Sequence, residues 1–295
     1  MKHNFPPVFK IIGLILAIPG FVLGYLFTFF NYLIPFLNYG PLESGKSIFG
    51  STGRNNLTDE IAISFFVTGM IFIGFSRLKN ENELTNKLRL NALYWSVLIN
   101  ILIILIDVIG EFVGELFRIP ALTHHAGFLS YDAFVVLPIF IARFYYLVHK
   151  SKKEKQSEQI YMLPFKPYNL IWKVGSLFFI ISMVASLTFP VIDTLLKQFP
   201  DCIIILFPAC LLIWIWSKEK NETDLVKDIR TKAMQIAMYV NYTVFLITTW
   251  LIYGFDYLVV QVVSILSLPI IFLIVFYLKL YILRVKPTIV ATTNL

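Results

Sequence analysis

The chain has 295 residues, of which 58% are hydrophobic and only 15% charged, against roughly 45–50% and about 25% in an ordinary soluble domain. That balance excludes a soluble globular protein. The net charge of +7 does not argue for nucleic acid, because Lys and Arg gather between apolar runs, where positive-inside topology puts them. Only Cys202 and Cys210 are present, both in one apolar run, so neither a disulfide framework nor a thiolate metal site is implied.

In chain order, the apolar runs predict spans at about Ile11–Leu37, Ile61–Phe75, Leu90–Ile109, Ala133–Val148, Leu170–Ile192, Cys202–Trp216, Ala233–Phe255 and Tyr257–Leu283. Several reach the roughly 17–25 residues that cross a bilayer. The lead of Met1, Lys2 and His3 is too brief for a cleaved signal peptide, so the first run is expected to stay as a span. Ile61–Phe75 and Cys202–Trp216 have fifteen residues each and are marginal at 1.5 Å rise per residue, so a re-entrant segment is the alternative there.

Charge decides between the two. With eight spans and both termini inside, eighteen basic residues fall on the cytoplasmic side and four, Lys46, Arg54, Arg118 and Lys197, outside. Arg143, Lys173 and Lys279 lie within spans near the inner side, where long side chains snorkel. Removing either short span would expel basic loops. The expected fold is therefore an all-α integral membrane protein of the bacterial inner membrane.

The chain also repeats itself. FSRLKNENELTNKLRLNAL from Phe75 aligns without gaps at an offset of 141 with WSKEKNETDLVKDIRTKAM from Trp216, and IFIARFYYL from Ile139 with IFLIVFYLK from Ile271 at an offset of 132. Residues 1–149 and 161–295 then form two four-helix membrane repeats joined by a charged linker at 150–160. Four is even, so the repeats share one orientation, unlike inverted-repeat transporters.

These residues resemble a family of small bacterial integral membrane proteins with four predicted spans and a cytoplasmic signature close to FS-[KR]-EK-x-[ED]-[DE]-x-x-x-x-[LI]-R, here in tandem. WSKEKNETDLVKDIR fits it, and MLPFKPYNLIWKVG is similar to the family's opening. The first half departs at Leu78, where the second has Glu219. The resemblance implies topology and no catalytic residue, and its setting beside DNA-binding regulators implies signalling.

Within the repeated motif, Asn80 with Glu83 and Asn221 with Asp224 have capping-box spacing, so helices are expected to begin near Glu81 and Glu222. Leu84 with Leu88 and Leu225 with Ile229 fall four apart on one face, with Arg89 and Arg230 beside them. No Gly or Pro separates either stub from the following span. Such stripes either pack internally or dock a soluble partner. Asn100 and Asn241, within apolar helices, are expected to hydrogen-bond across helices.

GPLESGKS, from Gly40 to Ser47, matches the phosphate-loop pattern but lacks the preceding strand and following helix that chemistry needs. Asp107, Glu111 and Glu115 fall at i, i+4 and i+8, with His124, His125 and Asp132 beyond. Glu111, Glu115, His124 and His125 are thus candidate metal ligands, against a solvated acidic edge or proton handling as alternatives. Their counterparts in the second half, Thr248 and Ile252 for Asp107 and Glu111, do not keep the pattern. Arg143 is expected to snorkel or pair with a carboxylate.

No nucleophile–base constellation or cofactor ligand set emerges, so no enzyme activity and no cofactor are expected. The sequence reads as a regulatory, scaffolding or sensing protein acting through paired cytoplasmic stubs, with a small-solute or ion transporter as the alternative. Its expected partners are the lipid bilayer, a soluble cytoplasmic regulator and a second copy of the chain, without direct nucleic-acid contact.

Overall fold

A computed structural model describes residues 4–38, 45–46, 52–53, 56–79, 81–118, 129–153, 173–177, 181, 200–219, 223–252 and 256–292. Seven helices of seventeen residues or more carry the described chain: α1 (Phe9–Phe30), α2 (Thr58–Phe75), α3 (Glu83–Phe117), α4 (Leu129–Lys153), α5 (Pro200–Trp216), α6 (Asp224–Thr249) and α7 (Asp256–Thr292). Five stretches are long and apolar enough to cross a membrane: Phe9–Phe30, Thr58–Phe75, Glu83–Gly114, Phe134–Lys152 and Val263–Leu283. The expected span Leu170–Ile192 lies outside the described residues, apart from helical positions at 173–177 and 181.

α1 shows why a bilayer is needed. Ile11, Ile15, Ile18, Phe21 and Phe29 are each at least 60% exposed, a continuous apolar wall that water would not tolerate but lipid solvates. Its buried residues are Gly13, Ala17 and Gly20. Between helices in lipid there is no hydrophobic drive, so small residues that let backbones meet supply the packing. A Cβ on Gly69 of α2 would fall 2.5 Å from the Ala17 nitrogen, and one on Gly13 would fall 2.7 Å from the Gly69 carbonyl oxygen.

The first helix is shorter than the apolar run. Asn31 takes the left-handed conformation at φ 50° and its N–H bonds to the Leu26 carbonyl, which ends α1 at Phe30. A single 3-10 turn at Pro35–Leu37 follows. Asn56 then ties the segment after α1 to the start of α2. Its Oδ1 accepts from the Thr58 N–H at 3.0 Å, and its Nδ2 donates to the Ile34 carbonyl at 3.0 Å.

By contrast, α3 and α6 each run without interruption from the repeated motif into the apolar stretch, as 35 and 26 residues. At 1.5 Å per residue α3 is about 52 Å long. One core spans all the described long helices but α1, with Phe75, Leu93, Val97, Phe140 and Phe144 continuous with Leu211, Met234, Ala237, Met238, Phe272 and Phe276. Gly45–Lys46 pairs antiparallel with Thr52–Gly53. Lys46 thus lies in a strand pair, where a phosphate loop would begin a helix.

Gly69→Val is expected to lower the stability of purified protein in detergent by at least about 2 kcal/mol, as forced overpacking against backbone does. Gly110→Ala, whose Cβ would meet nothing within 4 Å, should be neutral or stabilising by up to about 1 kcal/mol through helix propensity. Thermal unfolding of the two variants beside wild type checks the contrast.

Candidate functional site

The repeated motif builds a polar network at one end of the bundle. Ser76 follows the last residue of α2 and turns the chain toward α3. Arg89 of α3 reaches back and donates to the Ser76 carbonyl at 2.8 Å and to Glu81 Oε2 at 3.0 Å. Its Nη1 also meets Glu81 Oε1, so the pair is bidentate. Both side chains are at most 3% exposed. The other face of the guanidinium lies 4.7 Å from the centre of the Phe144 ring.

Glu81 is met from several sides. It accepts from the Leu78 N–H at 2.9 Å and from Asn4 Nδ2 at 3.2 Å. Asn4 belongs to a short strap in which Phe5 pairs in parallel with Ser76, through Phe5 N–H to the Phe75 carbonyl and Arg77 N–H to the Phe5 carbonyl. Asn4 also accepts from Gln235 of α6 at 3.1 Å. One N-terminal residue thus bridges α3 and α6.

Arg230 of α6 has a parallel setting. It donates to the Ser217 carbonyl at 3.2 Å and the Ile215 carbonyl at 3.1 Å, and its guanidinium stands 4.6 Å from the Phe276 ring centre. Tyr94 of α3 donates its hydroxyl to the same Ile215 carbonyl. Ser76 and Ser217 each cap the helix before them by bonding back four residues, to the Phe72 and Ile213 carbonyls. Lys10 sits 4.6 Å over the Tyr145 ring and Lys173 5.3 Å over the Tyr277 ring. Lys173 also pairs with Glu219 at 2.6 Å, and that carboxylate accepts from the Tyr277 hydroxyl at 2.7 Å.

The motif residues therefore divide. Leu88, Arg89 and Arg230 are buried, Leu84 and Ile229 are partly covered, and Leu225 is 53% exposed. Asn80, Asn221 and Glu222 lie outside the described residues. The helices start two residues later than the spacing predicts. Asn82 accepts from the Thr85 N–H at 2.8 Å and Thr223 from the Val226 N–H at 3.3 Å. Glu81 is held by Arg89 and Leu78, which keeps that residue in the turn before the helix. At the exposed start of α6, a hydrogen bond from Lys227 holds the Asp224 carboxyl below the ordinary carboxylate range.

Asn241 donates to Ser264 Oγ at 3.1 Å and accepts from Ser267 at 2.6 Å, joining α6 to α7. Asn100 is buried, and its Oδ1 has no partner among the described residues. Arg143 lies 4.8 Å over the Trp95 ring, an aromatic partner where a carboxylate was one expectation. Glu111 and Glu115 fall within helical backbone but their side chains are outside the description, as are His124 and His125 altogether. Among the described residues no three His, Cys, Asp or Glu side chains gather as a metal set.

At the other end of the bundle, α1, α2, α4 and α7 line a half-open cavity of about 680 Å³ that includes Tyr25, Asp59, Phe66, Phe134, Tyr257 and Gln261. Sequence reasoning passed over it. Its one legible signal was the acidic pair Asp59 and Glu60 opening an otherwise apolar helix. No protein-family model, curated protein or solved structure matches the chain.

Arg89→Met should destabilise the purified protein by about 3–5 kcal/mol, because it leaves the Glu81 carboxylate buried without its cation. Adding Glu81→Gln should restore part of that loss, since the two side chains are coupled. A double-mutant cycle on thermal unfolding in detergent reads the coupling directly.

Proposed function

We propose that this protein is a polytopic regulatory or scaffolding protein of a bacterial cytoplasmic membrane. In this reading it has eight spans arranged as two parallel four-helix repeats, with both termini inside, and its two cytoplasmic helix starts present a docking surface to a soluble partner. What supports the duplication is the recurrence of contacts at the offsets of the alignment. Arg89 and Arg230, Ser76 and Ser217 are 141 apart, while Phe144 and Phe276, Tyr145 and Tyr277 are 132 apart.

The observation that carries the docking reading is the fixing of both helix starts by a buried arginine. A surface already held in place loses little conformational freedom on binding, so more of its contact energy appears as affinity. On α6 the exposed Leu225 stands beside Asp224 and Lys227, paired at 2.8 Å, and one to two turns from Asp228 and Lys232, paired at 2.6 Å. An apolar centre with a charged rim is the ordinary anatomy of such a patch.

The test is site-directed photocrosslinking from position 228 in native membranes. A soluble protein crosslinked there, and at least about tenfold less recovered with Leu225→Asp at equal membrane abundance, is the expected result. Crosslinks only within the chain, or recovery unchanged by Leu225→Asp, would refute the docking reading. In the same membranes, single cysteines at positions 46 and 152 should label from opposite faces, as eight spans require.

The cavity favours a second reading, a small-solute permease, because a ligand-sized space is lined by helices from both proposed repeats. Proteoliposomes should then accumulate a solute that Phe66→Trp, filling the space, excludes. Equal uptake by protein-free vesicles would remove this reading.

A further inference from the structure

We propose that the cavity between α1, α2, α4 and α7 is a binding site for an organic cation with an apolar body. Its volume of about 680 Å³ falls within the roughly 300–1,000 Å³ of small-molecule sites. It lies at the N-terminal turn of α2, about 22 Å along that helix from Phe75 and the arginine network. The proposal stands apart from the docking reading, and it names the ligand class for the permease reading without depending on transport.

The lining selects charge as well as size. Asp59 supplies a half-buried carboxylate, and no Lys, Arg or His lines the space among the described residues. Its wall carries the rings of Phe21, Phe66, Phe134 and Tyr257, with Phe21 against Phe66 at 6.1 Å and Phe66 against Phe134 at 6.4 Å. Ring faces carry negative potential and attract a cation, most strongly away from water.

Gln261 provides the independent sign of a ligand. It is 7% exposed, it lines the cavity beside Tyr257, to which its side chain hydrogen-bonds, and its Oε1 has no partner among the described residues. A buried acceptor left unmet costs about 1–3 kcal/mol. Next to Asp59 in the chain, and hydrogen-bonded to it, Glu60 is also 7% exposed with Oε2 unmet. Acids in a first helical turn complement the helix dipole, but that role is served at the surface and does not call for a buried, unmet oxygen. Carboxylate, amide oxygen and ring faces all complement positive charge; the Asp59 carboxylate would repel an anion, and a plain lipid chain would leave the Gln261 oxygen unmet.

The experiment is equilibrium binding of tetraphenylphosphonium to the purified full chain in detergent, with thermal unfolding of each variant measured alongside. Saturable binding is expected, weakened at least about tenfold by Asp59→Asn. Tyr25→Leu, on a half-exposed wall of α1 where folding is little affected, should weaken it several-fold. Tetraphenylborate, of similar shape and opposite charge, should not compete. Absence of saturable binding to wild type, equal competition by tetraphenylborate, or unchanged affinity in both Asp59→Asn and Tyr25→Leu would each overturn the proposal.

Discussion

A guanidinium withdrawn from water must find a partner for its charge and its donors, and Arg89 meets that requirement with almost everything nearby. Its donors reach the Ser76 carbonyl and both oxygens of Glu81, and its face covers Phe144. Each partner is thereby placed. Ser76 sets where α2 gives way to α3, Glu81 holds the turn through Leu78, and Asn4 draws the N-terminal strap onto that turn. Replacing both members of such a pair with well-packed apolar side chains is often neutral for stability, so buried ion pairs are better understood as specifying one arrangement. Here that arrangement is the relative position of α2, α3 and α4, and through Gln235 that of α6.

The bilayer explains why the rest of the bundle is held differently. Apolar burial gives no advantage over lipid, so α1 adheres to α2 by backbone approach at Gly13, Ala17, Gly20 and Gly69. Polar bonds are then few and placed at helix ends or between neighbouring helices. Asn56 joins the segment after α1 to the start of α2, and Asn241 with Ser264 and Ser267 joins α6 to α7. Each satisfies groups that lipid would leave unmet.

Much of the scaffold was legible because lipid demands long apolar runs, and the runs around α1–α4 and α7 announce themselves. The ends were less so. Asn31 stops α1 by adopting a left-handed conformation, which no hydropathy window registers. The N-E-N-E stretch offers two overlapping capping registers, and what selects Asn82 is Arg89, eight residues on, holding Glu81 out of the helix. The repeat alignment singled out Arg89 and Arg230, yet a cation beside an amphipathic stripe reads as a solvated edge, and their burial depends on Phe144 and Phe276 arriving from distant helices. The cavity was illegible for the same reason. Asp59 and Gln261 belong to helices far apart in sequence, and only packing shows that they share a wall.

The two ends of the molecule obey different logics on the proposed duplication. At the arginine end, contacts recur at the alignment offsets, and a change in one repeat would break a geometry that the other still keeps. At the cavity end no such recurrence holds: Asp59 and Phe66 come from the first half and Tyr257 and Gln261 from the second. A space built from unlike halves has no twin, so its lining can diverge without disturbing the matched network some 22 Å away along α2. Since α2 joins the acidic turn at Asp59 to the Ser76 carbonyl that Arg89 grips, the same helix connects both ends. Any ligand that displaced the first turn of α2 would bear directly on the seat of the buried arginine.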